Sequence, residues 1–248
     1  MQNERPFVMT VAGYDPSGGA GLLADIKTME QLEVMGLGVC TAMTLQTESR
    51  FLNLEWRPLD EILRTIEVLM ESYPVKAVKI GIVKDASMLA GILNTIRSCD
   101  PLVKVVWDPV LKSTSDFVFF DMETLPFLRE LLKKIDLITP NYPEYKILKE
   151  NGLFPEQEDL APVLVKGGHR EDRPGTDILM EKGNTVSLEI REDFVYYSKH
   201  GSGCVLSSAI AGWLSKGNTL EEACRNGKLY IEKFLKSNPS LLGFHSNQ

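Results

Sequence analysis

Cysteine is scarce. The four present, Cys40, Cys99, Cys204 and Cys224, are scattered with no C-x-x-C pair, which argues against a zinc knuckle and against a disulfide framework. Cys40 lies in an apolar run and reads as a buried thiol. No apolar stretch approaches the ~20 residues that a membrane-spanning helix needs. The polar start Met1-Gln2-Asn3-Glu4-Arg5-Pro6 also lacks the apolar centre of a signal peptide. The chain is therefore expected in the cytoplasm, with no membrane partner. Basic residues are outnumbered: 27 Lys and Arg face 34 Asp and Glu, for a net charge of −7. Without clustered Lys and Arg to displace counterions, a nucleic-acid partner is not expected. Lys133-Lys134 reads as a solvated helix face. An acidic chain can still hold a small anion, because a glycine loop and a metal ion set the local field. No internal repeat and no Pro/Gly/Ser linker divides the 248 residues, so one domain spanning 1–248 is expected.

What is present is an alternation of strand and helix signals. Phe7–Ala12 is a short apolar run ending at Gly13 and predicts a buried strand. After the loop Gly13-Tyr14-Asp15-Pro16-Ser17-Gly18-Gly19-Ala20-Gly21, the residues Leu22, Leu23, Ile26, Met29, Leu32 and Val34 recur at helical spacing. Leu37–Leu45 predicts a second strand and Leu52–Trp56 a third, at an edge. Asp60 is placed to cap a helix carrying Ile62, Leu63, Ile66 and Leu69. The pattern continues with strand Val75–Ile80, helix Ala86–Ile96, strand Val103–Trp107, helix Glu123–Lys133 and strand Leu137–Thr139. A helix from Pro143 to about Glu150 and strand Val163–Val165 follow. Thr176–Tyr197 predicts short antiparallel strands, and helices Ser202–Ser215 and Leu220–Leu235 close the chain. Such alternation implies an α/β fold, a mainly parallel sheet with helices on both faces. Ligands in such folds lie beyond the carboxyl ends of the strands. Gly13, Gln46, Gly81, Asp108, Asn141 and Lys166 all fall there, and that agreement outweighs any one motif.

The first glycine loop is not a Walker A loop, because no Lys-Ser or Lys-Thr closes it. It is either a tight strand-to-helix turn or a cradle for a small polar substrate, in which Asp15 accepts hydrogen bonds from hydroxyl or amino groups. The second loop, Gly201-Ser202-Gly203-Cys204, opens a helix carrying Leu206, Ile210 and Trp213. Amides at such a start favour an anion by a few tenths to ~2 kcal/mol, and a cysteine there is expected to have a lowered pKa. The alternative is a Ser-capped helix with a buried Cys. His200 reads as a loop histidine with a local hydrogen bond and no catalytic role. Asp108 and Glu144, at neighbouring strand ends, suit Mg²⁺, which takes one or two protein oxygens and keeps its waters. Taken alone, each would more often be a helix cap or a surface charge. Lys166 either reaches a phosphate or snorkels.

Six segments occur in one order: Thr10–Gly21, Lys79-Ile80-Gly81, Asp108-Pro109-Val110, Ile138–Glu144, Val165-Lys166-Gly167-Gly168-His169 and His200-Gly201-Ser202-Gly203-Cys204. Together they resemble the hydroxymethylpyrimidine/phosphomethylpyrimidine kinases of thiamine synthesis. The resemblance implies a ribokinase-like three-layer sandwich and transfer of phosphate from ATP, with Mg²⁺, to 4-amino-5-hydroxymethyl-2-methylpyrimidine and/or its monophosphate. A homodimer is implied by kinship. The pyrimidine pocket would fall on Gly13, Asp15, Ala20, Gln46, Ile82 and Val110, with the Gln46 carboxamide matching an aminopyrimidine edge. Asp108 and Glu144 would be the metal-linked carboxylates, with Asn141 beside them. Lys166 and Lys228 would contact phosphate, the Gly201–Cys204 amides would form the anion hole, and Cys204 would be the base. A pyridoxine or pyridoxal kinase is the rival reading, and a non-catalytic ligand-binding regulator a more distant one. Gln46 and the Lys166–His169 run look more like the pyrimidine branch. Ser202 stands where threonine is usual. Between Glu144 and Val163 there is room for one short helix where relatives carry a further one, so the sheet is expected to be thinner or rearranged there.

Overall fold

Alternating apolar residues in the strands sort the molecule into two faces. The computed structural model describes residues 4–113, 117–154, 161–169, 175–189 and 195–246. In it β1 (Phe7–Tyr14) turns Met9 and Val11 to one side and Val8 to the other. The strands β4 (Val75–Ile80) and β5 (Lys104–Trp107) repeat the division: Val78, Ile80, Val105 and Trp107 face one core, Ala77 and Val106 the other. The first core is closed by α2 (Leu59–Ser72), α3 (Ala86–Cys99), α4 (Leu128–Leu132) and α5 (Tyr142–Glu150). Over the second lie α1 (Gly21–Gln31), α6 (Ser202–Ser215) and α7 (Leu220–Lys236). Burial on both faces explains why these strands read as nearly unbroken apolar runs. Each buried Leu or Ile contributes ~1.5–3 kcal/mol, enough in sum to fix where the strands end.

The other strands are β2 (Met35–Gln46), β3 (Phe51–Trp56), β6 (Leu137–Ile138), β7 (Val163–Val165), β8 (Asp177–Glu181) and β9 (Asn184–Leu188). They form one sheet in the order β3-β2-β1-β4-β5-β6-β7-β8-β9. The run from β2 to β7 is parallel, while β3 at one edge and β8 and β9 at the other are antiparallel. The chain leaves β1 toward β2 on one side and later adds β4 on the other, which makes the β1–β4 junction the topological switch point. Helix α6 is buried along most of its length; the small Ser207, Ser208, Ala209, Ala211 and Gly212 let it sit close to the sheet.

Three local expectations are corrected. Asp60 does not cap α2: the helix begins at Leu59 behind Pro58, and Asp60 joins Glu61 in the first turn, where negative charge complements the helix dipole. The helix expected over Glu123–Lys133 splits into a 3-10 turn, Met122–Phe127, and α4, because Pro126 has no N–H to continue the ladder. Among the described residues the antiparallel strands end at Leu188, short of Tyr197, with 190–194 outside the description. In the short segment after Glu144, α5 is the one described crossover element. β6 and β7 are two and three residues long and pair through Ile138 and Val163. Residues 155–160 lie outside the description.

Candidate active site

The positions singled out by sequence gather at one end of the sheet. Gly13 is in the last part of β1, Gln46 ends β2, Gly81 follows β4, Asp108 follows β5, Asn141 caps α5 after β6, and Lys166 follows β7. Two helix starts join them there. Gly201 is the N-cap of α6 with φ 71°, and a Cβ on it would lie 2.1 Å from the Gly19 carbonyl oxygen. Only glycine allows that backbone shape and that approach together. Neither α6 nor α1 has a side chain capping its first turn, and Ser202 is the first residue of α6 instead of its cap. The Ser-capped alternative therefore falls. The Gly21 backbone at the start of α1 lies near enough to Cys204 to favour its thiolate. The uncapped starts of two helices thus meet near Cys204, an arrangement suited to an anion.

Cys204 departs from expectation. Burial pushes its thiol up to about 11, against the attraction of Lys79 and with Asp25 and Asp108 adding to the rise. Desolvation here exceeds the helix dipole, so the group is a thiol at neutral pH. Beneath it lies a polar centre that the sequence reading missed. The Lys79 Nζ lies 2.8 Å from Asp25 Oδ2 and 3.1 Å from Oδ1, and both side chains are fully buried. Thr10 Oγ1 donates to Asp25 Oδ2 at 2.5 Å and Ser208 Oγ to Oδ1 at 2.6 Å. One carboxylate therefore ties together β1, β4, α1 and α6, the four elements whose ends surround Cys204. Burial works against the Lys79 charge, but Asp25 more than offsets it and keeps its pKa above the ordinary lysine value.

The acids and Lys166 form a second group. Lys166 Nζ lies 2.6 Å from Asp108 Oδ1, with Thr139 Oγ1 at 3.3 Å from that oxygen and Ser207 Oγ at 3.3 Å from Oδ2. Asn141 and Glu144 form a reciprocal capping box on α5: Glu144 Oε2 accepts from Asn141 N–H at 2.7 Å, and Asn141 Oδ1 from Glu144 N–H at 2.8 Å. Burial raises the Glu144 carboxyl to about 7; Lys166 opposes the rise, Asp108 reinforces it, and the N–H groups of Asn141 and Leu111 oppose it. Burial also disfavours the Lys166 charge, but Asp108 and Glu144 outweigh that and raise its pKa. Two buried carboxyls set against one ammonium, with hard oxygen donors, fit an added divalent cation that keeps its waters. Among the described residues no cluster of three or more His, Cys, Asp and Glu could hold a metal unaided.

The remaining candidates are placed less uniformly. Gly13 faces Ile82, whose Cδ1 would lie 2.5 Å from a Cβ there. Gln46 Nε2 donates to Thr44 Oγ1 at 2.9 Å, and Thr44 Oγ1 in turn to the Tyr14 carbonyl at 2.8 Å, leaving the carboxamide oxygen for a ligand. Val110 follows Asp108 in a tight turn. Asp15 is 1% exposed and already engaged: it accepts from Ser17 N–H, Ser17 Oγ and Ala20 N–H, and its Oδ2 lies 2.8 Å from His200 Nε2. Burial works to raise its pKa, but His200 and Ser17 prevail and lower it. These bonds brace the loop from within. His200 likewise makes a bond that spans the two loops and is not local. Lys228 is 3.1 Å from Asp177 Oδ2 and donates to the Gly175 carbonyl, while Asp177 Oδ1 accepts from Gly167 N–H at 2.7 Å. Its observed role is to support the turn after Lys166.

Comparison with known proteins places this site in a lineage. A model of the family described as "Phosphomethylpyrimidine kinase" matches residues 15–247. The chain belongs to the phosphomethylpyrimidine kinase family. One relative, the hydroxymethylpyrimidine/phosphomethylpyrimidine kinase of Aquifex aeolicus, is 31% identical over 95% of this chain and 96% of its own. Among solved structures, a phosphomethylpyrimidine kinase from Clostridium difficile superposes with a TM-score of 0.72 at 31% identity, over 92% of this chain and 98% of its own. A pyridoxal kinase from Bacillus subtilis, solved with ADP, gives 0.80 at 25% identity, over 98% and 97%. The ribokinase-like three-layer fold, expected of phosphomethylpyrimidine kinases, is borne out by the sheet and its two helical layers. No described helix is long and apolar enough to cross a membrane.

Proposed function

We propose that the protein transfers the γ-phosphoryl group of ATP to the hydroxymethyl oxygen of 4-amino-5-hydroxymethyl-2-methylpyrimidine, and to the phosphate of its monophosphate, as one domain in the cytoplasm. The observation that carries the reading is the meeting of the uncapped α6 start with Cys204, Asp108 and Lys166: a Cβ on Gly203 would lie 3.0 Å from Lys166 Nζ and 3.6 Å from Asp108 Oδ2. Phosphoryl transfer asks mainly for alignment and charge stabilisation. The Gly201–Cys204 amides receive the moving phosphoryl oxygens, and Lys166 supplies a positive charge within reach of the same point. Gln46, with Gly13, Ala20, Ile82 and Val110, holds the ring. Cys204, once its thiol has lost its proton to solvent, takes the hydroxymethyl proton on the thiolate sulfur. Asp108 and Glu144, with Asn141 alongside, would hold Mg²⁺, which when bound neutralises phosphate charge. Lys228 reaches phosphate only through the turn it supports.

The pyridoxal kinase fold match favours one second reading, a pyridoxine or pyridoxal kinase. ATP turnover with the pyrimidine alcohol, its monophosphate and pyridoxal, each at matched concentration, separates the two. Preference for pyridoxal would overturn the pyrimidine reading. Cys204→Ala is expected to lower kcat by ~10²-fold or more. A homodimer is inferred as well, supported by the exposed Met43, Leu45 and Leu52 on the β2–β3 edge; sedimentation as a monomer at micromolar concentration would oppose it.

A further inference from the structure

Lys199, the residue before His200 and the anion loop, is 7% exposed, and among the described residues no carboxylate pairs with it. Buried lysines rarely lack a counter-charge. Its partners are neutral oxygens instead. Nζ donates to the carbonyl of Asn238, to Asn238 Oδ1 at 2.7 Å and to the Ser240 carbonyl at 2.7 Å. Burial keeps its pKa below the ordinary lysine value. All three acceptors lie in the tail that follows α7.

That tail goes on to touch both loops of the site. The Leu241 carbonyl accepts from His200 N–H at 2.9 Å. Leu242 packs on Gly19, where a Cβ would lie 2.7 Å from its Cδ2 and 2.8 Å from His200 Cδ2. His200 in turn reaches Asp15, which holds Ser17 and Ala20. The tail is stiffened from within: Asn238 Nδ2 and Ser240 Oγ both donate to the Leu242 carbonyl at 2.9 Å, and Phe244 N–H to Ser237 Oγ at 2.9 Å. Its far end is anchored by the His245 ring, 4.8 Å from that of Phe234.

We propose that residues 237–246 form a strap that holds the anion loop and the glycine loop in register, and that Lys199 is the positioning residue that locks it. Its ammonium fills a cage of three tail oxygens. Removing the lock leaves the two cores intact but frees the direction in which the Gly201–Cys204 amides point. The inference rests on the phosphate role proposed for those amides.

The test is Lys199→Ala in the full chain, read by amide exchange and by turnover. Exchange at residues 200–204 is expected to quicken, and kcat to fall by about 10-fold to 10²-fold, the scale of a small misalignment. Ethylammonium, a primary ammonium able to enter the vacated cage, should restore both; tetramethylammonium at equal ionic strength should restore neither. Unchanged exchange at 200–204, or equal rescue by both ions, would overturn the strap. Quickened exchange with undiminished turnover would instead sink the phosphate role of the loop, and with it the strap's part in catalysis. Should Lys199→Ala not fold, Asn238→Ala removes one of the three acceptors and is expected to give the same pattern at smaller amplitude; wild-type exchange there would count against the proposal.

Discussion

Gly203 on α6 faces Lys166 across the site so closely that a Cβ would lie 3.0 Å from Nζ. The neighbour is the free end of a flexible side chain, so it can give way. Alanine is also the better helix former, by about 1 kcal/mol. Gly203→Ala should therefore keep or slightly raise Tm while displacing the ammonium from the amides. The expected outcome is a fall of about 10-fold or more in kcat/KM for ATP. Gly201→Ala differs: its Cβ would meet backbone 2.1 Å away at a left-handed φ, so it should lower Tm and turnover together. Calorimetry beside steady-state kinetics separates the two, and equal Tm losses would refute the distinction.

The Asp25–Lys79 pair makes a different prediction, one of stability. Removing one member of a fully buried pair leaves an uncompensated charge and costs about 3–5 kcal/mol. Lys79→Met should unfold at markedly lower denaturant, with Asp25 also holding Thr10 and Ser208 unchanged in number but not in balance. Adding Asp25→Asn should recover part of the loss, since it removes the orphaned charge. A double variant less stable than the sum of the single ones would show that the polar hub acts through hydrogen bonds to all four elements more than through the ion pair.

Much of the architecture was legible because the two periodicities differ: burial on both faces leaves strands such as Val75–Ile80 as apolar runs, and helices such as α2 as stripes. The strand-end positions were legible for the same reason, since ends follow from runs. Side-chain partnerships were not. Asp15 and His200 are separated by 185 residues, and no local pattern pairs them. A signal did exist for Asp25 and Lys79: each stands between apolar neighbours, Ala24 and Ile26 in α1 and Val78 and Ile80 in β4, where an unpaired charge would be too costly. The raised thiol of Cys204 is not legible because a helix start is visible in sequence, whereas the burial that overrides it comes only with tertiary packing.

The raised thiol pKa gives Cys204 a test in which the sign is fixed. With a folded value of about 11 against 9.0 for a free thiol, the folded chain keeps this proton to higher pH than the unfolded one. The resulting stability is present below pH 9 and is lost as pH rises toward 11. If the thiolate must form before it can accept the substrate proton, the active fraction grows about tenfold per pH unit between roughly pH 7 and 10, and kcat/KM for the pyrimidine alcohol should climb with it. Alkylation by iodoacetamide should follow the same slope, because it too needs the thiolate. Cys204→Ala should flatten the kinetic profile. A wild-type profile already flat across that range, alongside a steep alkylation curve, would leave the sulfur as lining of the anion site and assign the proton to another acceptor.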